Sequence, residues 1–131
     1  MQTFPQQVRH VITQLKNVAI VGLSDDPSRD SYMVGSFLKK AGYNVIPVNP
    51  RVPTVLGVKS FPDLQSAYET MGEIDVVDIF RSPEYIPNIV QDAIDIGAKV
   101  VWMQLDLLVP EAAEMAEKAG LFVVMNKCMK I

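Results

Sequence analysis

The sequence predicts an α/β fold: a parallel sheet of five or six strands with helices on both faces. Three observations predict it. From Asn17 onward, short apolar runs alternate with stretches of helical periodicity. The runs are largely continuous in apolar residues, as in Val18-Ala19-Ile20-Val21, which is the mark of strands covered on both faces. The connections are one helix long, which sets successive strands parallel with right-handed crossovers. Together these give a doubly wound, Rossmann-like three-layer α/β/α arrangement.

The elements follow in order. Phe4, Val8, Val11, Ile12 and Leu15 fall at near-helical spacing, so an amphipathic helix is expected at about 4–15. The first strand precedes a turn at Gly22 and a polar loop from Ser24 to Ser31. A helix with Met33, Val34, Phe37, Leu38 and Ala41 on its apolar face follows and ends at Gly42. Tyr43 to Val48 reads as the second strand. The prolines of Asn49-Pro50-Arg51-Val52-Pro53 then break regular structure. A short strand is expected around Val58 and a helix from about Asp63 to Met71. Ile74 to Phe80 is the next strand. Its successor helix has Ser82 as N-cap, Pro83 at the first helical position and Glu84 in the first turn, where an anion is favoured. Ile86, Ile89, Val90, Ala93 and Ile94 form the apolar face of that helix, which stops at Gly97. Lys99 to Met103, Pro110 to Ala119 and Leu121 to Met125 complete the pattern as strand, helix and strand.

At 131 residues the chain is expected to be a single domain with a core that needs neither disulfide nor metal. Apolar residues make up 49% and charged residues 21%, both globular values. No apolar run reaches the ~20 residues that span a bilayer, and Met1 to Leu15 lacks the apolar segment of a signal peptide. With one cysteine, Cys128, no internal bridge can form, and a cytoplasmic location is expected. The net charge is −3 and the twelve Lys and Arg residues are dispersed, which argues against a nucleic-acid-binding face. A small anion needs only two or three placed cations and a helix terminus.

In such a sheet, ligands bind across the carboxyl ends of the strands at the topological switch point. The strand–glycine–helix unit from Asn17 to Gly42 is the leading candidate, because first-turn amides lack intrahelical acceptors and attract phosphate. A G-x-G-x-x-G turn is absent, and the second strand ends in Val48-Asn49-Pro50-Arg51 without the acidic residue that binds NAD ribose hydroxyls. No Walker-type phosphate loop occurs either. A cation in that place suits a phosphate on the ribose, as in NADP or coenzyme A.

Five motifs then carry a resemblance. They are Val21 to Ser24 with Arg29 to Tyr32, Pro47 to Arg51, Asp78 to Pro83, Gly97 to Lys99 with Trp102 to Leu105, and Ala119 to Cys128. In this order they resemble the stand-alone CoA-binding proteins, a family similar to the CoA-binding domain of the succinyl-CoA synthetase alpha subunit. The match covers about residues 5–128. The resemblance implies a ligand of coenzyme A or an acyl-CoA. Gly22 and Ser24 would let the backbone approach the pyrophosphate, and Ser31 and Tyr32 would present the helix start to it. Arg51 would lie near the ribose phosphate, Phe80 and Arg81 near the adenosine or pantetheine arm, and Met103 and Gln104 beneath the pantetheine. Leu23, Arg29, Asn49, Pro50 and Ser82, within the same motifs or beside them, complete the implied set. Similar proteins carry glycine where Asp106 stands and Asp-Arg where Asn126-Lys127 stand.

Single residues also admit plainer roles. Ser24 and Ser31 suit turns and caps, Arg51 and Arg81 suit a solvated surface, Phe80 and Trp102 suit a core, and His10 suits an exposed helix face. Asp75 and Asp78 are three apart in a strand and point to opposite faces, so they form no carboxylate pair. Cys128 has no histidine beside it in sequence to activate it. No metal-ligand cluster or nucleophile–base pair stands out. The expectation is therefore a non-catalytic carrier, sensor or accessory module for CoA, with Gly22, Arg51 and Arg81 facing one cleft. The alternatives are an NADP-binding oxidoreductase-like protein, for which Tyr32 has no lysine beside it, and a protein-interaction scaffold without ligand. The sequence names no protein partner.

Overall fold

A computed structural model describes residues 16–103 and 110–125, the Met125 side chain excepted. The helix expected at about 4–15, with His10, lies outside these residues, as do Gln104, Asp106 and Cys128.

Five strands form one sheet: β1 (Asn17–Val21), β2 (Asn44–Val48), β5 (Val76–Ile79), β6 (Val100–Met103) and β7 (Phe122–Met125). Their order is β2-β1-β5-β6-β7 and every pairing is parallel. Between β2 and β5, β3 (Thr54–Val55) and β4 (Val58–Lys59) make a separate antiparallel hairpin, where the sequence suggested one short strand near Val58. The helices are α1 (Asp30–Lys40), α2 (Leu64–Met71), α3 (Ile86–Asp95) and α4 (Pro110–Lys118). Among the described residues no helix is long and apolar enough to cross a membrane.

Alternation of side chains along the strands divides the interior in two. Ala19, Val21, Ile46, Val48, Val77, Ile79, Val101 and Met103 pack with buried residues of α2, α3 and α4. Val18, Ile20, Val45, Val76, Val100 and Trp102 pack on the opposite face with Leu23, and with Val34 and Leu38 of α1. The result is the three-layer fold expected. Pro47 is tolerated in β2 because that strand lies at the sheet edge, where its carbonyl accepts from the Phe61 N–H at 3.0 Å.

Two local expectations change. The buried residues of α1 are Ser31, Val34, Gly35 and Leu38, an i, i+3, i+4, i+7 stripe, whereas Met33 and Phe37 are 40% and 44% exposed. Gly35 explains the rotation. A Cβ on it would meet Leu23 Cδ1 at 3.1 Å and Leu56 Cδ1 at 3.2 Å, so the helix seats its smallest residue against the layer beneath. At Ser82, a 3₁₀ turn (Pro83–Tyr85) precedes α3, and the Ser82 side chain makes no capping bond. The helix at 64–71 does have a side-chain cap: the Ser66 N–H donates to Asp63 Oδ1 at 2.8 Å.

Candidate nucleotide-binding site

The chain leaves β1 toward β2, then returns past β1 to β5, so the switch point lies between β1 and β5. Gly22 occupies it. Its N–H donates to Val48 O, and the Phe80 N–H donates to Val21 O, both at 2.8 Å, which draws the exits of β1, β2 and β5 together. Gly22 has φ +88°, and a Cβ there would stand 2.3 Å from Phe80 O and 3.1 Å from Arg81 Cδ. Glycine is thus required by the approach of two protein segments, before any ligand is considered.

The loop that follows holds its own shape. The Ser24 N–H donates to Ser31 Oγ at 3.0 Å, and the Asp26 N–H donates to Ser24 Oγ at 3.0 Å. Ser28 donates to Asp26 Oδ1 through its N–H at 2.9 Å and through its hydroxyl at 2.8 Å. Those bonds, the backbone one foremost, hold the Asp26 carboxyl below its ordinary range. The Ser24 amide is therefore already engaged. The free donors lie one step on: Arg29 caps α1 without a side-chain bond, and the amides of Asp30, Ser31 and Tyr32 take no acceptor among the described residues. Aligned with the helix dipole, they suit an anion.

On the far side, the Asn49 side chain donates to Leu23 O at 3.0 Å and accepts from the Arg51 N–H at 2.9 Å. Between the two loops is a hollow of about 590 Å³ lined by Gly22, Ser24, Arg29, Ser31, Asn49, Arg51 and Phe80. Ser28, Asp25, Asp30 and Val52 also line it, and the sequence did not single them out as ligand contacts. Arg29 and Arg51 are balanced there by Asp25 and Asp30, so directed donors, more than net charge, are what would favour an anion.

A second hollow, of about 180 Å³, opens on the sheet face that carries α2 and α3. Its floor is Val21, Val48, Leu64 and Ile89, and its rim includes Pro50, Arg81, Tyr85 and Asp92. The Arg81 guanidinium carbon lies 4.3 Å from the centroid of the Tyr85 ring, a stacking geometry. Tyr85, which the sequence did not single out, is brought there by the 3₁₀ turn at Pro83–Tyr85. Desolvation, with Asp95 and Asp63 nearby, raises the Asp92 carboxyl above its ordinary range.

The expectation of one cleft for Gly22, Arg51 and Arg81 thus needs correction. Gly22 and Arg51 share the larger hollow, and Arg81, stacked on Tyr85, lines the adjoining one with Pro50. The side chains of Leu23 and Met103 are fully buried in the core, so neither reaches a ligand in this arrangement. Ser82 is exposed and lines neither hollow. Tyr32 borders a shallow hollow with Met33 and Phe37 on the outer side of α1. Gln104 lies outside the described residues. Among those residues no cluster of His, Cys, Asp and Glu could hold a metal ion.

A parallel, doubly wound sheet with a helix N-terminus, serines and arginines gathered at its switch point defines a Rossmann-like nucleotide-binding class of protein. Residues 16–131 match the CoA binding domain family, and the chain belongs to that family. It is 38% identical over 125 residues to the uncharacterized protein YneT of Bacillus subtilis (strain 168), covering 95% of this chain and 90% of that one. It is 34% identical over 87 residues to the alpha subunit of acetate–CoA ligase [ADP-forming] II of Pyrococcus furiosus, covering 66% of this chain but 18% of the subunit. Among solved structures, the crystal structure of Prb, the PH1109 protein redesigned for binding, superposes with a TM-score of 0.91 at 40% identity, over 98% of this chain and 89% of that one. The likeness to succinyl-CoA synthetase-type domains read from the five motifs accords with the ligase relative.

Proposed function

We propose that this protein binds coenzyme A or an acyl-CoA across the two adjoining hollows, as a carrier, sensor or accessory module without chemistry of its own. One observation carries the reading: a wide polar hollow with Arg29, Arg51 and the open amides of α1 adjoins a narrow apolar one beside Arg81 and Tyr85. A ligand with several phosphates joined to apolar and aromatic parts matches such a pair. Phosphates would take the first-turn amides and the guanidinium of Arg51, where charge-assisted hydrogen bonds are strongest. An adenine or pantetheine portion would take the apolar floor. Family membership supports coenzyme A over other phosphorylated nucleosides. A cytoplasmic location accords with a single cysteine in the sequence.

The test is titration calorimetry with CoA, acetyl-CoA and NADPH. Saturable binding of CoA or acetyl-CoA, weakened about tenfold or more by Arg51→Ala, supports the reading. NADPH binding tighter than either CoA species moves the assignment to a nicotinamide cofactor, whose ribose phosphate Arg51 would suit equally. No heat with any of them rejects a ligand of this class.

A further inference from the structure

We infer that Asn49 is a positioning residue that seats Arg51 for the ribose 3′-phosphate of the ligand; this rests on the CoA reading above. All four of its polar groups are engaged. Its N–H donates to Phe61 O at 2.8 Å, and its carbonyl accepts from Ser60 Oγ at 3.1 Å. Its side-chain amide donates to Leu23 O at 3.0 Å, while Oδ1 accepts from the Arg51 N–H at 2.9 Å. One residue thereby ties the loop after β1, the loop after β2 and the segment after β4.

The tie matters most at Arg51, whose own residue is exposed. A free arginine side chain loses rotamer entropy when it is fixed, so its reach into the hollow depends on where the backbone aims it. Pro50 has no N–H, which makes the Arg51 amide the first donor after Asn49. Capturing that amide with the side chain two residues earlier is an Asx turn, and it sets the direction in which Arg51 leaves the chain. The donor half of the same side chain fixes the distance to Leu23, one residue before the Ser24 to Ser31 loop. Asparagine alone supplies both halves. Aspartate keeps the acceptor for Arg51 but sets a carboxylate oxygen against the Leu23 carbonyl.

The experiment measures binding of CoA and of 3′-dephospho-CoA to the wild type, Asn49→Ala, Asn49→Asp and Arg51→Ala, with thermal unfolding in parallel. Wild type is expected to prefer CoA by about tenfold or more, and Arg51→Ala to lose that preference. Asn49→Ala is expected to lose it too, with Arg51 intact. Asn49→Asp is expected to weaken both ligands while keeping the preference. Equal weakening of both ligands by Asn49→Ala overturns the inference and leaves Asn49 a holder of loops. Should that variant fail to fold, loss of the preference in Asn49→Asp does the same. Equal binding of the two ligands by wild type overturns this inference and the role of Arg51 but leaves CoA binding standing; binding of neither overturns both readings.

Discussion

The carbonyl oxygen of Phe80 lies 2.3 Å from the point where a Cβ on Gly22 would stand. The exits of β1 and β5 are in contact there without a side chain between them, and the two hollows lie on either side of that contact. Gly22→Ala is expected to destabilise the ligand-free protein by about 3 kcal/mol, from a positive φ and a backbone clash together. Urea unfolding without ligand checks it. A fully stable variant that merely loses CoA binding would mean the glycine serves the ligand alone.

The stripe on α1 is tested by two truncations. Leu38→Ala removes a side chain that is 1% exposed and is expected to cost about 2–5 kcal/mol. Phe37→Ala removes one that is 44% exposed and should stay within about 0.5 kcal/mol. Chemical denaturation of both variants decides; similar costs would put Phe37 in the core.

Ser31 is 5% exposed and its hydroxyl accepts the Ser24 N–H. Ser31→Ala leaves that amide without its acceptor and is expected to cost about 1–2 kcal/mol. Amide exchange at Ser24 should quicken in the variant, while exchange within β1 follows only the global loss. An unchanged rate at Ser24 would show that the serine does not hold the loop.

At Asp92 the carboxyl is raised by desolvation and then by Asp95 and Asp63, so its ionised form is disfavoured in the folded state. The penalty is present above the folded value and disappears below the ordinary one of 3.8. Asp92→Asn is therefore expected to be slightly more stable than wild type at pH 7, by under about 0.5 kcal/mol for an exposed group, and to show no such gain at pH 3. Melting curves at the two pH values check the sign. A gain confined to pH 3 would reverse it.

Much of this was legible along the chain because periodicity is a local property. Runs such as Val18 to Val21 and Val100 to Met103 are apolar at every position, and only strands buried on both faces need that. The α1 face was less legible: Ser31 and Gly35 are not apolar, yet both are buried, one by its bond to Ser24 and the other by its lack of a side chain. Among site residues, Arg51 and Phe80 could be placed because they follow strand ends. Tyr85, Asn88 and Asp92 could not, since what brings them to the second hollow is the packing of α3 and the turn before it against β5 and α2.

By itself the sequence determined the succession of strands and helices, the candidate unit from Asn17 to Gly42, and a family whose motifs lie at strand ends. Those follow from short-range patterns of side chains. Only the tertiary structure decided that Gly22 makes room for Phe80, that the Ser24 amide is engaged, and that Arg51 and Arg81 line separate hollows. The physical reason is that hydrogen bonds and close approaches between loops, or between the two ends of one loop as at Ser24 and Ser31, depend on how the backbone is set in three dimensions, which no local pattern encodes.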